Sequence, residues 1–140
     1  MRTLPSTVFM LALLASTSAD RVSAAEPDTY LFDVLRHPQY KGALKQILGR
    51  KPVPAWVKAF MDRGDGVVSP MRTVDIDGHP YRLDHLCKPH DCAGNVLSVL
   101  WGPGGRKVSA ALIQGGGAPV LYGDPSPEQA QALTTDAKAG

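Results

Sequence analysis

Residues 81–101 read Tyr-Arg-Leu-Asp-His-Leu-Cys-Lys-Pro-His-Asp-Cys-Ala-Gly-Asn-Val-Leu-Ser-Val-Leu-Trp, and they contain the only two cysteines of the chain, Cys87 and Cys92. Apolar and polar residues alternate before Cys87, and an almost unbroken apolar run follows Asn95. Both patterns predict β-strands. The six residues from Cys87 to Cys92 are therefore expected to form the loop of a hairpin, longer than a tight turn and protruding from the edge of the sheet.

The chain before this hairpin predicts three short helices, over residues 28–37, 38–49 and 54–64, each bounded by proline or glycine. From Val67 the apolar period becomes two, and Asp77-Gly78 predicts a tight hairpin turn. Two further strands are predicted over residues 107–113 and 119–122. A short helix follows Ser126, and the tail from about residue 134 is expected to be disordered. Helices first and tightly connected strands afterwards predict an α+β fold, with short helices packed on a central antiparallel β-sheet.

Residues 1–25 have the layout of a secretory signal peptide. A basic residue, Arg2, precedes an apolar run that is too short to span a membrane as a helix, and small residues follow it. Cleavage is expected after Ala19 or Ala25. Residues 26–140 would then form one exported domain, and we expect the periplasm to be its location, because disulfides form and persist there.

The charge of the expected mature chain argues against two classes of partner. The full chain has 15 basic and 13 acidic residues, and cleavage after Ala25 removes Arg2, Arg21 and Asp20, which leaves a net charge of +1. Scattered charges that nearly cancel give no basic surface for nucleic acid or an anionic membrane. A chain of this length can also bury a single hydrophobic core without relying on crosslinks.

The hairpin loop admits several interpretations from its residues alone. His85, Cys87, His90 and Cys92 give the spacing His-x-Cys-x-x-His-x-Cys, which could bind zinc or copper in a periplasmic metal-binding protein. An exported chain favours instead a Cys87–Cys92 disulfide, which removes both thiolate ligands. Such a ring could serve only to stabilise the fold, or it could present His90 rigidly to a partner. We find no second catalytic element, so the sequence does not predict an enzyme, and no cofactor is expected.

The hexapeptide Cys-Lys-Pro-His-Asp-Cys, followed by Ala93-Gly94-Asn95 and an apolar strand that ends in Trp101, resembles the Ivy family of inhibitors of vertebrate (C-type) lysozyme. The resemblance covers about residues 30–122, and the hexapeptide matches the inhibitory loop of the family at every position. It implies that the disulfide-closed loop enters the active-site cleft of lysozyme, where His90 meets the catalytic carboxylates. The lysozyme-binding residues would be Cys87, Lys88, Pro89, His90, Asp91 and Cys92.

The resemblance also implies a biological setting. Ivy-like proteins are periplasmic proteins of Gram-negative bacteria, often homodimeric, and they protect the cell wall. The resemblance therefore predicts C-type lysozyme as the partner, a role in virulence and a possible homodimer. The bacterium's own cell-wall lytic enzymes are a further possible target.

Overall fold

A computed structural model describes residues 28–140, so the predicted signal peptide and both predicted cleavage sites lie outside the described residues. No helix within residues 28–140 is long and apolar enough to cross a membrane. In chain order, the elements are α1 (Leu31–Val34), α2 (Pro38–Leu48), α3 (Ala55–Arg63), β1 (Val67–Ile76), β2 (His79–Cys87), β3 (Val96–Trp101), a 3-10 turn (Pro103–Gly105), β4 (Val108–Ile113), β5 (Val120–Tyr122) and α4 (Pro127–Ala139).

The five strands form one antiparallel sheet in which each strand pairs with the next in the chain. The predicted Asp77-Gly78 turn joins β1 to β2, and both residues have the positive φ angles, 53° and 75°, that a tight hairpin turn requires. In the β2–β3 hairpin, Cys87 is opposite Val96 and His85 is opposite Ser98. The predicted α+β fold with an antiparallel sheet is confirmed.

Helices cover both faces of the sheet. On one face, Leu86, Leu97 and Val99 pack with the buried residues of α1, α2 and α3 in the main hydrophobic core. On the other face, Leu83 and Leu100 pack with Leu133 of α4. Because β3 and β4 are covered on both sides, every one of their residues is buried, which explains why β3 is a nearly continuous apolar run.

The C-terminal segment differs from the sequence-based expectation. The helix starts as predicted, since Ser126 Oγ accepts the Gln129 amide and the Gln129 side chain accepts the Ser126 amide. It then continues to Ala139, so the predicted disordered tail from residue 134 is wrong. The reason is that Asp136 and Ala137 are only 5% and 3% exposed and pack on the sheet, although the surrounding sequence is polar.

Candidate functional site

The candidate site is the loop that joins β2 to β3. Its two cysteines form the predicted disulfide, with their Cα atoms 4.9 Å apart, within the usual range for this bond. Cys87 is the last residue of β2 and is buried, whereas Cys92 lies within the loop and is half-buried. One end of the disulfide-closed ring is therefore fixed in the sheet through Cys87.

Hydrogen bonds within the loop hold its backbone in one shape. The Lys88 amide donates to the Asn95 carbonyl at 3.0 Å, which extends the hairpin beyond the disulfide. The Asp91 amide donates to the Lys88 carbonyl at 3.1 Å, and the Asn95 amide donates to the Cys92 carbonyl at 3.2 Å. These bonds form two successive turns, one from Lys88 to Asp91 and one from Cys92 to Asn95.

The charged side chains of the loop pair with each other. Lys88 Nζ lies 2.8 Å from Asp91 Oδ2, and this hydrogen bond and charge hold the pKa of Asp91 below its ordinary value of 3.8. Both side chains are exposed, so the pair is expected to add little to stability. The Lys88–Asp91 ion pair instead acts locally: it links the two residues across the loop, and its opposite charges cancel next to His90.

A second turn supports the loop from the neighbouring hairpin. Gly94 has a φ of +86°, and its carbonyl accepts the Gly116 amide at 2.9 Å. The Asn95 side chain accepts the Gly115 amide at 3.1 Å. A Cβ atom on Gly94 would lie 2.7 Å from the Gly116 nitrogen, so this close approach of two backbones requires glycine. The glycine run at residues 115–117 is therefore the turn between β4 and β5, and it braces the loop.

His90 stands apart from these contacts. Its side chain is exposed, and no hydrogen bond or ion pair within residues 28–140 involves its imidazole. Its φ is +63°, a left-handed conformation that costs a non-glycine residue roughly 1 kcal/mol or more. The surrounding ring and turns hold His90 in this conformation, with both ring nitrogens free to bind a partner.

The four residues of the predicted metal site do not come together as ligands. Cys87 and Cys92 are bonded to each other, so neither offers a thiolate. His85 lies on β2 with Nδ1 3.0 Å from Asp136 Oδ2, whereas His90 lies exposed in the loop. Within the described residues, no group of three or more His, Cys, Asp or Glu side chains could hold a metal ion. The structure gives no support to the metal-binding alternative.

Sequence analysis missed two buried carboxylates behind the loop. Asp84 on β2 accepts two hydrogen bonds from Arg82, at 2.6 and 2.7 Å, and one from Trp101 Nε1 at 3.1 Å. Burial raises the pKa of Asp84 above its ordinary value, and the bonds from Arg82 and Trp101 only partly oppose this. Asp136 on α4 is the second, and it contacts the opposite face of the sheet. Polar residues within otherwise apolar strands, such as Ser98 in β3, were the available signal, because a buried polar group requires a partner.

Comparisons with known proteins identify one family and several similar proteins. The family described as "Inhibitor of vertebrate lysozyme (Ivy)" matches residues 39–140. A protein named "Inhibitor of vertebrate lysozyme" from Pseudomonas aeruginosa is 36% identical over 95 residues, which cover 67% of this chain and 60% of that protein. A protein of the same name from Escherichia coli K12 is 30% identical over 64% of this chain and 52% of its own length.

An uncharacterized protein from Yersinia pestis is 28% identical over 80% of this chain and 73% of its own length. The chain thus aligns with little more than half the length of the two relatives that carry the inhibitor name. The family match nevertheless spans all five strands, the disulfide-closed loop and α4. The chain therefore belongs to the inhibitor of vertebrate lysozyme (Ivy) family.

Proposed function

We propose that this protein inhibits C-type lysozyme by inserting its Cys87–Cys92 loop into the active-site cleft, with His90 as the residue that meets the catalytic carboxylates. The observation that carries the proposal is the state of His90: an exposed imidazole without a partner in residues 28–140, on a loop that a disulfide closes and the turn at residues 115–117 supports. The names of two relatives support the same target.

The chemistry of the target suits an imidazole. A retaining glycosidase places its two catalytic carboxyl groups about 5 Å apart. A protonated imidazole donates from both ring nitrogens, which lie on opposite sides of a flat ring. One side chain can therefore bond both carboxyl groups and fill the space of the scissile sugar. Hydrogen bonds between a protonated imidazole and a carboxylate are stronger than neutral ones, because the two groups carry opposite charges.

The rigidity of the loop contributes to affinity in this proposal. A flexible loop must lose conformational freedom when it binds, and that loss reduces the net binding energy. Here the disulfide, the Lys88–Asp91 pair and the turn at residues 115–117 fix the loop before lysozyme arrives. His90 also holds its left-handed backbone conformation in the free protein, so no such cost is added on binding.

The biological role follows as part of the proposal. The protein would be exported through a cleaved signal peptide to the periplasm of a Gram-negative bacterium, where it would protect the cell wall and support virulence. It would act as an inhibitor and not as an enzyme. A homodimer, and inhibition of the bacterium's own cell-wall lytic enzymes, are additional expectations of the resemblance.

A competition experiment tests insertion into the cleft. The mature protein should form a complex with a C-type lysozyme and stop lysis of purified peptidoglycan. A chitin oligosaccharide occupies the lysozyme cleft. It should lower the apparent affinity of the protein for lysozyme, and the effect should grow with the fraction of lysozyme that the oligosaccharide occupies. A complex that forms equally well on sugar-filled lysozyme, or one that leaves lysis unaffected, would contradict the proposal.

A further inference from the structure

The last turn of α4 lies against the root of the inhibitory loop. Ala137 packs with Cys87, Val96 and Ile113 in a small buried cluster, and Cys92 packs against the same cluster. Cys87 and Cys92 thus both pack in one small apolar cluster, and α4 contributes only the Ala137 methyl group to it. The last turn of α4 therefore contributes to the apolar cluster against which both disulfide residues pack.

Asp136, the neighbour of Ala137, fixes this turn to the sheet. Its side chain is 4% exposed, and Oδ2 accepts hydrogen bonds from His85 Nδ1, at 3.0 Å, and from Ser98 Oγ. Its other oxygen, Oδ1, bonds the guanidinium of Arg72. One carboxylate thus joins α4 to three neighbouring strands, β1, β2 and β3.

The strand partners of Asp136 are themselves close to the loop. His85 precedes Cys87 by two residues, and Ser98 follows Val96 by two. The two partners lie opposite each other in the β2–β3 register, so they occupy corresponding positions on the two strands that carry the loop. Asp136 bonds both strands at the same level, just below the disulfide.

We propose that Asp136 is a positioning residue for the inhibitory loop: its bonds to His85 and Ser98 hold the last turn of α4, and with it Ala137, beneath the Cys87–Cys92 disulfide. The inference rests on the proposed function of that loop. Terminal helical turns fray readily, because their last carbonyl groups have no partner within the helix. Without the Asp136 bonds, the turn is released, the disulfide loses its support, and the loop must be ordered again when it binds.

The direction of the hydrogen bonds suggests a conservative variant. Burial raises the pKa of Asp136, but the hydrogen bonds from His85 and Ser98 and the charge of Arg72 outweigh that effect and lower it overall. The carboxylate is therefore ionised and only accepts, so His85 Nδ1 donates. The amide nitrogen of an asparagine occupies nearly the place of Nδ1. His85→Asn should keep the bond that His85→Ala removes.

The structure also offers a matched control. Asp84 is equally buried, but its bonds to Arg82 and Trp101 lie on the opposite face of the sheet and do not involve α4. Both Asp136→Asn and Asp84→Asn replace a buried carboxylate by an amide of the same shape. They differ in whether the lost bonds hold the turn beneath the disulfide.

The experiment measures three quantities for each variant: the melting temperature, the lysozyme inhibition constant, and amide hydrogen exchange of residues 88–95 in the free protein. We expect Asp136→Asn to raise the inhibition constant about tenfold and to speed exchange in the loop, as binding must then order the loop. Asp84→Asn should lower the melting temperature but leave the other two quantities unchanged. His85→Ala should resemble Asp136→Asn, and His85→Asn should resemble the natural protein.

The inference is overturned if Asp136→Asn and Asp84→Asn change loop exchange equally, or if His85→Asn fails to restore it. Should Asp136→Asn not fold, Ser98→Ala removes only one of the bonds and must still speed loop exchange. A natural protein that does not inhibit lysozyme would refute the proposed function instead. Loop exchange, measured without lysozyme, would still decide whether Asp136 positions the loop.

Discussion

Replacing Cys87 and Cys92 by alanine should weaken binding to lysozyme while leaving the domain folded. The disulfide closes a ring of six residues, and the loop-entropy estimate for so short a ring is about 2 kcal/mol of folding free energy. Cys87 is 4% exposed, so alanine also loses some buried contact with Ala137. We expect the free energy of unfolding to fall by about 2–3 kcal/mol in total. The main core, between the sheet and α1–α3, is untouched and should keep the protein folded.

The loss in affinity follows from what holds the loop after the disulfide is removed. The Lys88 amide still bonds the Asn95 carbonyl, and Gly94 still rests on Gly116. The segment from Lys88 to Asp91 loses its closure and must be ordered on binding. This should cost about 1–3 kcal/mol, or about 5-fold to 150-fold in affinity. The loss should appear mainly as faster dissociation.

Urea denaturation and the dissociation rate from lysozyme measure the two effects separately. Ser126→Ala is the control, because it removes the cap of α4 far from the loop and should cost about 1 kcal/mol of stability without changing affinity. A double-alanine variant that binds as tightly as the natural protein would refute the argument that the ring preorganises the loop. A variant that does not fold would show that the ring serves mainly the fold.

Three further predictions concern single residues around the loop. Lys88→Met removes the cation beside Asp91, so an NMR titration should find the pKa of Asp91 raised toward 3.8, and an unchanged pKa would contradict the ion pair. The pKa of Asp136 is lower in the folded protein than its ordinary value of 3.8, so its carboxylate contributes fully to stability above pH 3.8, and this contribution is lost as the pH falls through the folded pKa. Urea denaturation from about pH 5 to pH 2 should therefore show a smaller decrease in the free energy of unfolding for Asp136→Asn than for the natural protein. Gly94→Ala combines a positive φ with a clash against Gly116, so thermal or urea denaturation should show a loss of about 1–3 kcal/mol, and an equally stable variant would contradict the close approach.

The parts of this structure that depend on local sequence could be predicted. Pro38 starts α2, Gly64 ends α3 with a φ of +78°, and Asp77-Gly78 forms the β1–β2 turn. Each of these residues restricts or permits backbone angles wherever it occurs, so its effect can be recognised without knowing the fold. The loop was predicted from the strand patterns on either side of it, and its disulfide from the expected export of the chain, which favours oxidised cysteines.

The parts that depend on long-range packing could not be predicted. The tail after Leu133 is polar, and its helix is held by Asp136, whose partners are 38 to 64 residues distant in the chain. Likewise, His85 was considered as a metal ligand together with Cys87, His90 and Cys92, but strand alternation places it on the sheet face that α4 covers, where it bonds Asp136. A sequence shows that such polar residues need partners, but only the register of the sheet shows which ones they find.

The most direct test of the central claim is lysozyme inhibition by His90→Ala. If the imidazole bonds the two catalytic carboxyl groups, its removal should cost about 2–4 kcal/mol, which raises the inhibition constant about 30-fold to 700-fold. His90→Gln keeps one donor and should fall between, whereas His79→Ala, on an exposed residue at the far end of β2, should change nothing. The account predicts this loss with no change in melting temperature. Undiminished inhibition by folded His90→Ala would mean that the loop binds by backbone and shape alone, and the proposed role of His90 would be wrong.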